Sequence, residues 1–422
     1  MGSYAVVGGT LWGNRGAEAM VVATIGRVRE HDAKATFLLM SYMHEADRAL
    51  VQDPDVEVVA AGPERLALLH VPFAAICWLL GSVGLRLPDV LLPRPIAQLR
   101  RCRALFDVSG ISFHDGRLPV VAYNIVCVWP ALLLGVPVVR LSQAMGPFRH
   151  PLNRLPARWV AAASLHTFAR GRHSADHLRG LRVPDGRWSV APDVAFAYVP
   201  SDSLTSENRD RVEQVSARLA GVRAAGTRVV AVVPSSLVLT KIDADGGDYL
   251  GLLDNLVTEL QDRGYHVLVL PNATRASSTA TRNNDLVCVR GLQAWASGAM
   301  TGVDASRVTY VDFDLNTASI RRLLEPCELV VTSRFHAMVA ALALGVPPLV
   351  LGWSHKYEEV LEMFDCAEYA VDVAATEGEL LALLDRALAD IEATRARIRS
   401  RLEGVCADAR RQFDVIEQLP AR

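Results

Sequence analysis

Tyr4-Ala-Val-Val-Gly-Gly-Thr-Leu-Trp-Gly-Asn-Arg-Gly-Ala-Glu-Ala-Met20 runs from a short apolar segment through a glycine-rich turn into the start of an apolar helix. That is one strand-to-helix step, and the chain repeats it. Short, often β-branched runs follow at Thr36–Met40, Val56–Val59, Leu105–Val108, Val136–Leu141 and His166–Ala169, separated by longer helical patterns. A second series occupies Arg228–Val233, His266–Leu270, Leu286–Arg290, Val308–Val311, Leu329–Thr332 and Pro348–Leu351. Alternation of this kind predicts parallel sheets covered by helices, an α/β fold. The rhythm restarts after Pro200-Ser-Asp-Ser-Leu-Thr-Ser-Glu-Asn208, rich in turn and capping residues, which places a linker there.

Two Rossmann-like lobes are therefore expected, at residues 1–199 and 200–374, with a C-terminal helical extension over 375–422. The extension opens with Thr376-Glu-Gly-Glu379 at capping-box spacing and continues with Leu380, Leu384, Leu388 and Ile391 at helical intervals. The plan resembles the GT-B architecture, in which ligands gather beyond the carboxyl ends of the strands. Periodicity alone does not separate it from other two-lobed α/β folds.

The 422 residues are too many for one core, and 51% hydrophobic with 21% charged residues is ordinary globular composition. With 44 Lys+Arg against 46 Asp+Glu, neither disorder nor a broadly basic nucleic-acid surface is indicated. Seven cysteines without a CxxC pair point to a reducing compartment and to no disulfide or zinc framework. A strand that starts after three residues leaves no room for a secretory leader, so the cytoplasm is the expected location. Leu66–Leu85 complicates that picture, because it carries no Lys, Arg, Asp or Glu and is bracketed by Arg65 and Arg86. Three readings stand: a buried helix or helical pair, a peripheral membrane-docking patch, or a span. Pro72, Gly81, Gly84, His70 and Ser82 weigh against the span.

Four groups of loops have residues suited to chemistry. The Gly8–Gly16 turn offers backbone N–H groups at a helix start, with Asn14 and Glu18 placed to bond hydroxyls. It is neither a Walker loop nor a dinucleotide fingerprint, and a ligand-free tight turn is the alternative. Asp107–Gly116 leaves a strand carrying His114 and Asp115; Asp115 is either a general base or part of a solvated Asp-Gly turn. Leu141–Phe148 and Phe168–Ser174 follow, with Arg170 leaving its strand directly and His173 and His177 at i, i+4 spacing that a metal could use. The densest group is Val330–Met338 with Leu344–Tyr357, where successive strands end in loops bearing Ser333, Arg334 and His336, then Ser354, His355 and Lys356. Charges crowded at strand ends suit a cleft that takes an anion, with ordinary surface charges as the alternative.

Taken in order, Asn14-Arg-Gly-Ala-Glu-Ala19, Ser109-Gly-Ile-Ser112 with Asp115, Ser142-Gln-Ala-Met-Gly-Pro147, Ala191-Pro-Asp193, Ser333-Arg-Phe-His336 and Gly352-Trp-Ser-His-Lys-Tyr357 resemble the motifs of the polysaccharide pyruvyl transferase family. The resemblance implies transfer of the pyruvate unit of phosphoenolpyruvate onto two hydroxyls of a saccharide, with phosphate released and no metal or redox cofactor. It implies that Arg334 and Lys356, with Arg170 and Ser333, hold the donor and that His336 donates the proton. Asp115 would serve as base, with Asn14, Glu18 and His114 on the acceptor. Ala17, where many members carry Asp, and Gly110-Ile111, where they carry a glycine pair, depart from the pattern on the acceptor side. If Leu66–Leu85 docks on a bilayer, the acceptor is expected to be lipid-linked and the enzyme to sit at the inner face of the cell membrane. Competing readings are a glycosyltransferase that uses a nucleotide sugar and a non-catalytic membrane-associated scaffold.

Overall fold

The computed structural model describes residues 2–199, 206–275, 283–296, 302–352 and 355–420. Most of the expected linker, and Trp353 and Ser354 of the last motif, lie outside the described residues. The chain forms two compact units, one made of Met1–Trp12, Ala17–Val199 and Cys406–Arg422, the other of Gly13–Gly16 and Pro200–Val405.

The first unit holds β1 (Ser3–Val7), β2 (Thr36–Ser41), β3 (Val56–Ala60), β4 (Ala104–Asp107), β5 (Ile111–Ser112), β6 (Val138–Met145), β7 (His166–Arg170) and β8 (Trp188–Ala191). They pair in the order β3-β2-β1-β4-β6-β7-β8, with β5 beside β6, and every pairing is parallel. Tyr4 to Val7 are fully buried, as a central strand covered on both faces requires. The helix Arg15–His31 follows β1; it packs Met20, Val21, Thr24 and Val28 inward, and the Thr24 hydroxyl bonds back to the Met20 carbonyl at 2.7 Å.

The second unit holds β9 (Val229–Val233), β10 (His266–Val269), β11 (Val308–Tyr310), β12 (Leu329–Thr332), β13 (Pro348–Gly352) and β14 (Ala370–Asp372), in the order β11-β10-β9-β12-β13-β14, again all parallel. Five consecutive valine or alanine positions of β9 are buried, which at roughly 1.5–3 kcal/mol per buried valine makes this strand a main anchor of the unit.

Leu286–Arg290, expected as a strand, is instead the first part of the helix Leu286–Ala296. Leu286, Val289 and Leu292 are buried at three-residue intervals, so the short apolar run has helical rather than strand period. Three short strands, β5, β8 and β14, were not expected. Residues 375–422, read as one separate extension, are shared out: the helices Glu377–Ala389 and most of Ile391–Arg410 belong to the second unit, and Cys406–Arg422 to the first. The capping box at Thr376 forms as its spacing requires, with Thr376 and Glu379 bonding each other's backbone N–H.

Candidate active site

In the second unit the carboxyl ends of the adjacent strands β10, β9 and β12 converge on one carboxylate. Asp285 is fully buried. Its Oδ2 accepts from the backbone N–H groups of Asn272 and Ala273 at 3.2 and 2.8 Å, in the loop after β10. Its Oδ1 accepts from the Ser236 N–H at 2.9 Å, after β9, and from Arg334 Nε at 3.0 Å, after β12. Arg334 Nη2 also reaches Asp285 and bonds Ser236 Oγ at 3.2 Å. One backbone donor at the start of the helix Ser236–Ala244 and two in the loop after β10 make burial of this charge tolerable, and the carboxylate fixes the guanidinium plane. Among the described residues nothing engages Arg334 Nη1, so one edge of the fork is oriented without being used.

Arg334 stands at the cap of the helix Phe335–Ala343, which leaves β12 with its first N–H groups and positive dipole end beside the arginine. The helix His355–Glu362, which follows β13, brings Lys356 and Tyr357 alongside. The Tyr357 hydroxyl donates to the Ser333 carbonyl at 3.1 Å, and burial lifts its pKa to about 12 against the opposing pull of Arg334, so it stays a donor. Lys356 Nζ lies 5.3 and 5.0 Å from the ring centres of Phe335 and Tyr357, a placement in which a cation is attracted to both faces. Ser333 is a correction. Its hydroxyl is buried and accepts from Tyr249 at 2.9 Å, while Tyr249 accepts from the Ser235 N–H at 3.2 Å, so it ties loops together rather than facing a donor.

The tip of the glycine-rich turn belongs to this cluster. Arg15 is buried; its Nη2 pairs with Asp314 at 2.6 Å and bonds Thr274 Oγ1 at 3.2 Å. The Arg15 carbonyl accepts from Thr317 Oγ1 at 2.9 Å, and that of Gly13 from the Thr274 N–H at 3.2 Å. Asn14 is exposed, and its Oδ1 accepts from the Gly16 N–H at 3.1 Å, capping the helix. A Cβ on Gly16 would lie 2.0 Å from His336 Nδ1. Glycine is therefore what lets the imidazole lie flat against the turn. Asn14, Arg334, His336 and Lys356 thus share one unit, and Arg15, Asp285, Tyr249 and Tyr357 are members of the site that motif reading missed.

The remaining expected residues lie in the first unit. Arg140, fully buried, spans Asp107 at 3.2 Å and Ser112 Oγ at 2.9 Å, and Ser112 donates to Gln143 Oε1 at 2.6 Å. The serine-glycine and Ser-Gln loops are thereby locked to each other, which removes Ser112 and Gln143 from ligand duty. Asp115 is likewise corrected from base to clamp. Its Oδ2 accepts from Arg149 N–H at 2.7 Å and its Oδ1 from Asn153 Nδ2 at 2.8 Å. Slight burial acts the other way, yet the Asn153, Arg149 and His150 donors hold its carboxyl below the ordinary value, a poor setting for a base. His114 is exposed and accepts from the Gly116 N–H at 3.0 Å. Arg170 is buried against Asp193 at 2.6 Å, so its charge is already met; Asp193 also caps the following turn at Ala195. Glu18 is buried on the first turn of its helix. His177 Nδ1 donates to the Met145 carbonyl at 2.9 Å, securing the end of β6 rather than waiting for a metal, while His173 is exposed.

A sequence model of the polysaccharide pyruvyl transferase family matches residues 14–355. The chain belongs to this family. The match opens at Asn14 and closes at His355, two stretches that border the second-unit cluster. As a polysaccharide pyruvyl transferase it is a transferase with a role in pyruvyl transfer during polysaccharide biosynthesis, and a saccharide is its acceptor. Its fold is similar to UDP-GlcNAc 2-epimerase from Neisseria meningitidis bound to UDP-GlcNAc, with a TM-score of 0.59 and 11% identity over 99% of this chain and 100% of that one. A putative UDP-N-acetylglucosamine 2-epimerase from Listeria monocytogenes gives 0.59 and 12% over 99% and 95%. Anabaena HepE in complex with UDP gives 0.56 and 13% over 99% and 99%. At such identities the likeness concerns the fold alone, which is GT-B-like with two Rossmann-like lobes.

Proposed function

We propose that the pyruvyl donor is phosphoenolpyruvate and that the product is a cyclic ketal on two hydroxyls of the acceptor saccharide. The observation that carries this reading is Arg334, fixed edge-on by buried Asp285 at the start of a helix with its Nη1 side uncommitted among the described residues. A preset guanidinium edge, helix N–H groups and the neighbouring Lys356 ammonium suit a small metabolite that bears both carboxylate and phosphate.

In this reading His336 Nε2 or Nδ1 gives a proton to the donor's methylene carbon, leaving an oxocarbenium-like centre at C2. One sugar hydroxyl forms a bond to that carbon and its proton restores the imidazolium. The C2–O bond to phosphate then breaks with the electron pair on oxygen, the second hydroxyl closes the ring, and its proton leaves with the phosphate. Arg334 and Lys356 stabilise the charge that gathers on the departing group. Asn14, exposed at the cap of its helix, orients the acceptor.

The test is incubation with isotopically labelled phosphoenolpyruvate and candidate saccharides. Label in an acid-labile ketal with one phosphate released per transfer is expected. Failure to transfer the label, with turnover of a UDP-sugar in its place, would overturn the proposal.

A further inference from the structure

We infer that the helical rod Pro63–Ser82 and the helix Pro151–Ala163 form a docking face for the surface of an anionic lipid bilayer. Pro63–Ser82 is 20 residues long, and within its most apolar 18-residue window only 17% of the residues are buried in the first unit. Its inward contacts are one stripe, Leu66, His70 and Ala74, spaced four residues apart. A helix that is apolar all round is normally covered on every side. Here Leu68 is 79%, Trp78 57% and Leu79 60% exposed, and Val83 and Leu85 carry the apolar surface past the end of the rod.

Topology excludes a span. The chain leaves β3 at Ala60 and re-enters the same sheet at Ala104 in β4, and Pro63–Ser82 is the one candidate crossing among the described residues. One crossing would leave those two strands on opposite sides of the membrane. The helix therefore lies in the interface, with its stripe on the protein.

A second helix extends the face. The rod packs on Trp129–Leu133, and Trp129 stacks edge-on against Trp159 at 5.9 Å. Pro151–Ala163 exposes Leu152, Leu155 and Trp159 to solvent alongside Arg154 and Arg158, and it contains no acidic residue. With Arg65, Arg86 and Arg149, this makes an apolar centre with a basic rim. Glu64 is the exposed exception, and Asp89 is held by Arg100 and Arg101. An apolar surface with that rim matches lipid tails beneath anionic headgroups better than it matches a second copy of itself, whose arginines would repel.

The face also adjoins the loop that the family resemblance places on the acceptor. Asp115 grips the N-terminus of Pro151–Ala163 through Arg149 and Asn153, so the loop with His114 lies where that helix meets the headgroups. Resting on the pyruvyl-transfer reading, the acceptor is then a saccharide displayed on a lipid anchor.

Flotation of the full chain with phosphatidylcholine vesicles, with and without phosphatidylglycerol, tests the face without turnover. Wild type is expected to float with the anionic vesicles. Trp78→Ser with Leu79→Ser should lower the bound fraction about tenfold or more, and Arg154→Glu with Arg158→Glu should abolish the preference for phosphatidylglycerol, both at unchanged Tm. Wild type left unbound, or variants that float as wild type does, would overturn the inference. So would light scattering that shows a dimer lost in the Trp78/Leu79 variant with no vesicle capture. Ketal formation on a lipid-linked acceptor should rise when anionic vesicles are added; equal rates on a water-soluble saccharide would overturn the acceptor clause and leave pyruvyl transfer standing.

Discussion

Asp285 holds three loops through five donors, one of the loops through Arg334, so its removal acts on structure and chemistry together. Asp285→Ala leaves Arg334 without its counter-charge and is expected to cost about 3–5 kcal/mol in chemical denaturation. Asp285→Asn keeps the shape but turns an NH2 group toward N–H donors and removes the counter-charge, so it too should cost stability, and kcat/KM should fall tenfold or more because the guanidinium is no longer fixed. Gly16→Ala is the complementary probe. Its methyl group would collide with the His336 ring, and overpacking of this kind costs about 1–3 kcal/mol; kcat should fall while substrate binding through Arg334 and Lys356 is kept. For Asp115 the folded pKa lies below the unfolded one, so its contribution is present above the ordinary carboxylate value and lost as pH falls through the lowered one. As a clamp, Asp115→Asn should lower Tm at neutral pH and leave the shape of the kcat pH profile intact. Loss of the acid limb of that profile would return the residue to the role of base.

The rod Pro63–Ser82 carries its own pH sensitivity. Burial, aided by nearby Arg65, lowers the His70 pKa from 6.5 to about 4, and neither ring nitrogen has a hydrogen-bond partner among the described residues. Because the folded value is the lower one, the unfolded chain takes up the proton first, and stability should decline as pH falls from about 6.5 to about 4. Full linkage would be roughly 3 kcal/mol. His70→Leu should flatten that decline in pH-dependent urea melts. Thr376→Ala, which removes a complete capping box, should cost about 1 kcal/mol. Elements of this sort were legible in the sequence where the period was long or the signal local: the buried valine runs of β1, β9 and β12, the Thr376 cap, the polar end of β12. Leu286–Arg290 misled because four apolar residues fit either period. Trp188–Ala191 and Ala370–Asp372 were missed as short, partly exposed edge strands. Asp285 gave no local signal, since its partner lies 49 residues further on, and Asp115 looked like a base because a sequence does not show its three donors.

Neither unit is a single stretch of chain. Gly13–Gly16 completes the second unit, and Cys406–Arg422 completes the first, where Gln412 accepts from Ser142 Oγ at 2.7 Å and donates to the Pro192 carbonyl at 3.1 Å. Phe413, Val415 and Ile416 are buried there, with Phe413 6.2 Å from the Phe106 ring. Gln412→Ala would leave the Ser142 hydroxyl unpaired in a dry site, at about 1–3 kcal/mol in equilibrium unfolding. A fragment of residues 1–199 should accordingly be insoluble or bind a dye for exposed apolar surface, and adding back a peptide of residues 406–422 should reverse this. During translation the same arrangement sets an order of events. The amino-terminal sheet leaves the ribosome early but keeps an open greasy seat until every residue of the other unit has been made. Over that interval chaperones have an obvious place to bind, and a ribosome stalled anywhere past the midpoint would release a product that is sticky rather than half-active.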